Sequence, residues 1–318
     1  MNIVVTGGAG LIGTSLVRML VARGERVVVV DNGAHSVCPR SLPVAVKMIE
    51  ADVRDEHAMA AACERADAVI HLAASGSVIQ SVQNPILNFE VNVLGTLNVL
   101  KKARDAGVSK FIFASTGGAL IGNAEPPVSE DSVPRPISPY GAGKLCGEAY
   151  CHAFARSYGM PTVALRFANV YGPYSAHKRG ATTAFIKALM CDSPIVVYGD
   201  GTASRDFLYV EDLCRGILAA LYAKLEPGTI LHLASGVETT IGELARLMAA
   251  ISGRPNHPIL YAPERRGEVQ RNFASFRRAH ELLGFTPAVS LRDGLSRTWN
   301  WFQEQDSRVL WGRETTDA

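Results

Sequence analysis

A chain of 318 residues is long for one domain and fits one large domain or two intimate ones. Hydrophobic residues make up 47% and charged residues 19%, which supplies a core and excludes general disorder. The formal net charge of +2 excludes a strongly basic nucleic-acid or membrane-surface protein and is compatible with an anionic small molecule as ligand.

Residues 2–6 form a continuous apolar run that ends in glycines, the pattern of a buried parallel strand. Gly7, Gly10, Leu11, Ile12 and Gly13 follow, then a helical pattern through Leu16, Met19 and Leu20 to Gly24. Val27–Val30 predict a second buried strand, ending at Asp31 and Asn32. Strand, glycine loop, helix, strand and acid is the arrangement that binds a dinucleotide. The glycines let the backbone approach a pyrophosphate, and the helix N-terminus offers free N–H groups and a positive dipole end. Asp31 is placed to accept hydrogen bonds from the adenosine ribose diol. An acid there repels a 2′-phosphate, so NAD is expected rather than NADP. Glycine loops also serve as plain turns, but here the strand–helix context is complete.

The alternation continues with a strand at about 45–50, where Asp52 and Val53 follow and Asp52 could reach the adenine amino group. A helix is expected at about 55–65 and a strand over 68–74, where Leu72, Ala73 and Ala74 allow close approach of a cofactor. His71 on that strand reads as a satisfied core histidine. One long helix is expected from about Pro85 to Ala106, then a strand over 111–115. Ser138 is a good N-cap and Pro139 suits the first helical position, so a helix should begin there. Tyr140 and Lys144 then lie one turn apart on one face. An ammonium beside a phenol favours the phenolate and lowers its pKa, which gives the pair a use as acid and base. Thr162–Phe167 is a strand, and Asn169–Pro173 a turn. Beyond about 170 come a helix (about 181–191), a short strand Ile195–Tyr198, a turn at 199–201, a helix from Asp212, a strand at 231–234, a helix capped by Thr239 or Thr240, and a helix at about 291–303. The expected fold is α/β: a Rossmann-type doubly wound parallel sheet with a smaller C-terminal α/β substrate domain. Residues 1–170 would form the first, with about 203–235 returning to it; 171–202 and 236–318 would form the second. The six cysteines, Cys38, Cys63, Cys146, Cys151, Cys191 and Cys214, show neither C-x-x-C nor zinc spacing, so reduced thiols and no metal are expected. A strand at Asn2 leaves no room for a signal peptide and no run reaches membrane length, so a cytoplasmic location is expected.

Taken together, these residues resemble the extended short-chain dehydrogenase/reductase family, in its nucleotide-sugar epimerase/dehydratase branch. The elements are the Gly7/Gly10/Gly13 loop, Asp31, Asp52-Val53, His71–Ala74, Asn92, Ser115-Thr116, Tyr140/Lys144, Arg166 with Asn169–Pro173, Gly199–Gly201 with Arg205-Asp206, and Arg265–Glu268. The resemblance implies Tyr140 as acid/base, Lys144 on the nicotinamide ribose, and a hydroxyl on the reacting sugar oxygen, Thr116 by position with Ser115 as the alternative. It places Asn92 with the cofactor residues. It implies Asn169, Arg205 and Arg265 for the nucleotide and diphosphate, Tyr198 and Phe207 flanking base and ribose, and Glu268 on a ribose. An arginine fork suits phosphate oxygens. Dehydratases of this branch carry Asp-Glu after the hydroxyl residue, and here Gly117-Gly118-Ala119 follow. That favours 4-epimerization of a UDP-hexose with NAD regenerated, over a 4,6-dehydratase, another NAD-dependent sugar-nucleotide oxidoreductase, or a cofactor-binding sensor. A homodimer is implied, through helices at about 86–106 and 141–158. Leu120-Ile121-Gly122 stands where the family usually has a tyrosine in the middle. If that tyrosine shapes the sugar pocket, Ile121 is expected to admit a bulkier or less polar substituent.

Overall fold

The computed structural model describes residues 1–34, 41–265, 269–306 and 310. Twelve strands occur among them: β1 (Asn2–Thr6), β2 (Arg26–Asp31), β3 (Lys47–Glu50), β4 (Ala68–His71), β5 (Lys110–Thr116), β6 (Thr162–Phe167), β7 (Asn169–Tyr171), β8 (Ile195–Tyr198), β9 (Ser204–Tyr209), β10 (Thr229–Leu233), β11 (Glu238–Thr240) and β12 (Ile259–Ala262). Seven of them form one sheet in the order β10-β6-β5-β4-β1-β2-β3, and every pair in it is parallel. The central strands β1, β4, β5 and β6 are buried almost throughout, as continuous apolar runs covered by helices on both faces must be. The strand order reverses between β1 and β4, and a ligand crevice opens beyond the carboxyl ends at such a point.

The helices fix the site by local chemistry. Ser138 caps the Pro139–Tyr158 helix, its hydroxyl accepting from the Gly141 N–H at 3.2 Å, with Pro139 in the first turn. Thr240 rather than Thr239 caps the Ile241–Ile251 helix, in a capping box with Glu243. The helix expected from Pro85 is interrupted. Pro85–Phe89 and Gly95–Asp105 are α-helical, and Glu90–Leu94 between them is a π-turn. A helix over Val78–Gln83 and a short one over Gly118–Ile121 were not anticipated.

The remaining strands make two small sheets, β11-β9-β7 and β12-β8. The Asn169–Pro173 stretch is therefore not simply a turn: β7 pairs in parallel with β9, Asn169 opposite Phe207. Its partner lies far along the chain, which is why the local pattern hides it. After β9 the chain returns to the large sheet. The Val210–Tyr222 helix packs on the Leu11–Ala22 helix, and β10 pairs with β6. A separate apolar cluster, with Phe185, Ile186, Leu244, Met248, Trp299 and Phe302, sits beneath the small sheets.

Candidate active site

The carboxyl ends of the large sheet and the edge of the small ones bound a crevice of about 1080 Å³. Its walls bring together Gly7, Gly10, Leu11, Ile12, Asp31, Asn32, Asp52, Val53, Leu72, Ala73, Ala74, Ser115, Thr116 and Tyr140 with Asn169, Tyr198, Arg205, Phe207 and Arg265. Gly13, Asn92 and Lys144 stand behind these walls, and Glu268 lies outside the described residues.

At the glycine loop, each glycine has a different physical reason. Gly7 has φ +69°, and a Cβ there would lie 2.7 Å from the Ala73 nitrogen. At Gly13 it would lie 2.3 Å from the Gly7 carbonyl oxygen. Gly10, by contrast, meets nothing closer than that same oxygen at 3.4 Å, so no internal clash requires a glycine there. Its bare backbone at the mouth of the Leu11–Ala22 helix is a cradle that a side chain would fill, as a dinucleotide pyrophosphate needs. Asp31, at the end of β2, accepts from the Ala9 and Gly33 N–H groups, both at 3.0 Å, and so is held beside the loop. Asp52 is engaged by Arg54, which donates from Nε at 2.8 Å, and this bond holds its carboxyl below the usual range. These residues fit NAD: a cradle, an acid at the end of β2 and small residues at Ala73 and Ala74.

Asn92 works through the backbone. Its carboxamide accepts from Ser75 N–H at 2.8 Å and donates to Ser75 C=O at 3.1 Å, pinning the segment that continues the Ala73-Ala74 wall. The π-turn aims it there. His71 donates or accepts with Thr6 at 2.7 Å and Thr96 at 3.0 Å, and burial followed by the Lys144 charge lowers its pKa to about 3. It is the satisfied core histidine expected.

Tyr140 and Thr116 both line the crevice. Burial pushes the phenol up to about 12, and the nearby Thr116 hydroxyl acts in the opposite direction. The adjacent Ser115 faces the other way. Its hydroxyl donates to Glu148 Oε1 at 2.6 Å, and Glu148 is held by Arg166 through two bonds of 2.9 Å, both side chains almost fully buried. Successive strand residues point to opposite faces, so Ser115 and Thr116 cannot share one partner. Lys144 Nζ donates to the Ala114 carbonyl at 2.7 Å and lies 4.9 Å from the Phe113 ring centroid. Burial lowers its pKa to about 8. The expected lowering of the Tyr140 pKa by Lys144 is therefore absent from this arrangement, because the ammonium is turned down onto Ala114.

At the other end, the Arg265 guanidinium stacks 3.5 Å from the Tyr198 ring centroid, and Arg205 donates to the Ser204 carbonyl at 2.8 Å. Phe207 is nearly buried, edge-on to Tyr171. The expectation about Ile121 is overturned. Ile121 is 1% exposed, packed with Leu120, Val128, Ala234 and Ala274, and does not line the crevice. Gly118, Ala119 and Asn272 form that part of the wall. Lys178 and Asn272 were missed from the sequence. The signal for Lys178 is a cationic run, His177-Lys178-Arg179, directly before a helix N-terminus, where acids are the stabilising choice.

Among the described residues no group of His, Cys, Asp and Glu could hold a metal, Cys63, Cys146, Cys151, Cys191 and Cys214 are free, and no helix is long and apolar enough to cross a membrane. Cys38 lies outside the described residues.

The NAD dependent epimerase/dehydratase family model matches residues 3–234. A UDP-glucose 4-epimerase of Mycolicibacterium smegmatis is 34% identical over 313 residues, spanning 96% of this chain and 99% of that protein. The UDP-glucose 4-epimerase of Thermotoga maritima, solved with UDP-glucose, is 37% identical with a TM-score of 0.91, covering 95% of this chain and 99% of the other. That of Thermus thermophilus, solved with NAD, is 36% identical with a TM-score of 0.90, covering 96% and 99%.

Proposed function

This chain belongs to the NAD dependent epimerase/dehydratase family, and we propose that it acts as a nucleotide-sugar 4-epimerase on a UDP-hexose. The observation that carries the reading is that Thr116 and Tyr140 line one crevice, close enough for the hydroxyl to act on the phenol, with Gly117 and Gly118, and no acid, after Thr116. Among the described residues lining the crevice, Asp31 and Asp52 are the carboxylates, and both belong to the end assigned to adenosine. A dehydratase needs an acid/base pair beside the sugar to expel water, and this wall offers none.

Gly7, Gly10, Leu11, Ile12 and Gly13 would hold the pyrophosphate of NAD, Asp31 and Asn32 the adenosine ribose, Asp52 and Val53 the adenine, and Leu72–Ala74, Ser115 and Lys144 the nicotinamide half, with Asn92 as support. NAD, when bound, would supply a two-electron acceptor for the hydride leaving the sugar C4, a donor for its return, and positive charge. Tyr140 takes the proton of the sugar 4-hydroxyl and later returns it, and Thr116 steadies the oxygen between them. With its phenol pushed up to about 12 by burial, Tyr140 needs nearby positive charge to act as a base near neutral pH. Asn169, Tyr198, Arg205, Phe207, Arg265 and Glu268 are the proposed nucleotide and diphosphate residues.

Val82, Ile86 and Phe89 are exposed on helices that pack against the Pro139–Tyr158 helix, which itself exposes Tyr150, and these apolar residues suit a homodimer contact. The division into an NAD half (1–170 with the return near 203–235) and a substrate half, and a cytoplasmic location, belong to the same proposal.

The test is proton NMR of purified protein with catalytic NAD against UDP-, GDP- and dTDP-sugars. Conversion of a UDP-sugar to its C4 epimer without net NADH is expected, and Tyr140→Phe should lower turnover by ~10³-fold while leaving NAD bound. A 4-keto-6-deoxy product, accumulating NADH or a fully active Tyr140→Phe would overturn the reading.

A further inference from the structure

Lys178 lies in the segment between β7 and the Ala181–Met190 helix, and His177, Lys178 and Arg179 all line the crevice. Helix electrostatics do not explain them. A helix N-terminus is already positive, so cations there are unfavourable. Gly180, the N-cap, offers no side-chain bond, and no acid stands in the first turn. An anion held outside the helix would account for the cluster.

Three observations favour the sugar as the carrier of that anion. First, Lys178 lines the same crevice as Thr116 and Tyr140, and its charge is one of the smaller causes that lower the Lys144 pKa. Second, Lys178 is exposed and lines the crevice, and it makes no ion pair among the described residues. Third, Asn272 stands on the wall beside Gly118, where a Cβ would come within 3.0 Å of its Oδ1. It is 3% exposed, and its Nδ2 is buried without a hydrogen-bond partner. A buried amide of this kind costs free energy unless a ligand or an ordered water completes it. Arg205 and Arg265, beside Tyr198, already supply cations for the diphosphate, so Lys178 is surplus to that task.

We propose that Lys178 is a specificity-determining residue that pairs with a carboxylate on the sugar, so that the preferred substrate is a nucleotide-linked hexuronate, with Asn272 bonding a further sugar oxygen. The C6 carboxylate of a hexuronate is carried on the carbon next to C4, close to Tyr140. This rests on the nucleotide-sugar reading above.

The experiment measures kcat and KM for UDP-glucuronate and UDP-glucose with NAD, and UDP affinity by calorimetry, for the native protein, Lys178→Gln and Lys178→Arg. The native protein should favour UDP-glucuronate. Lys178→Gln should raise KM for that sugar ~10- to 100-fold, the value of one charge-assisted hydrogen bond, and so collapse the ratio between the two sugars. Lys178→Arg should retain part of the ratio, and UDP affinity should hold. A native preference for UDP-glucose overturns the proposal. So does an equal loss on both sugars with weakened UDP binding, which would make Lys178 a diphosphate contact. Neither sugar turned over and no UDP bound would instead bring down the nucleotide-sugar reading itself.

Discussion

At the scale of single residues, the choice between two adjacent hydroxyls decides the chemistry. Ser115 is committed to Glu148, and Glu148 to Arg166, in a buried bidentate pair. Thr116 alone faces the phenol. Thr116→Val should therefore lower kcat ~10²-fold with little change in melting temperature. Ser115→Ala should do the reverse: kcat within a few-fold, but stability reduced by ~1–3 kcal/mol as Glu148 loses a buried donor. Steady-state kinetics alongside denaturant unfolding separates the two, and equal kinetic losses would mean the strand presents both hydroxyls. The sequence left this pair open because strand alternation distinguishes faces without saying which is which. The deciding partner, Glu148, lies 33 residues on. Ile121 was misjudged for the same reason. Its burial depends on Val128, Ala234 and Ala274, which local pattern cannot place beside it.

At the scale of elements, the glycine loop separates what a fold needs from what a ligand needs. Gly13→Ala drives a Cβ into the Gly7 carbonyl oxygen at 2.3 Å and should cost ~3 kcal/mol in unfolding free energy. Gly10→Ala meets only a 3.4 Å contact and should fold within ~1 kcal/mol of the native protein, yet lose NAD affinity ~10-fold or more. Fluorescence titration with NAD, paired with thermal melts, checks both; normal NAD binding by Gly10→Ala would remove the cradle from the site. The βα alternation was legible because buried parallel strands are apolar runs punctuated by glycine and small residues. The small sheet was not, since β7 needs β9 and β9 needs both β7 and β11. Nor was the π-turn, which leaves the apolar pattern intact while re-aiming Asn92.

At the scale of the whole molecule, two buried histidines tie stability to pH. His71 and His232 both have pKa values lowered to about 3, by burial first and then by Lys144 or by Arg166 and Arg278. Each stays neutral when folded but takes a proton near 6.5 when unfolded, so the unfolded state gains as pH falls through 6.5. From pH 7.5 to 5.5 each should cost about 1.4 kcal/mol, read from urea midpoints at the two values, and His232→Gln should flatten the slope. A flat profile for the native protein would mean that neither histidine is neutral in the fold. The apolar face around Ile86 predicts a mass of twice the chain by light scattering, and Ile86→Glu should halve it; a native monomer would remove the contact. The return of the chain to β10 has a consequence for synthesis. β6 is complete at Phe167, but the strand that covers its edge ends at Leu233, after β7, β8 and β9 have been laid down elsewhere. On the ribosome the large sheet must wait with one side open while residues 168–228 are made. A nascent chain stalled before Thr229 would present β6 as a template to any neighbouring strand, so the interval between those two residues is when this protein most needs a chaperone.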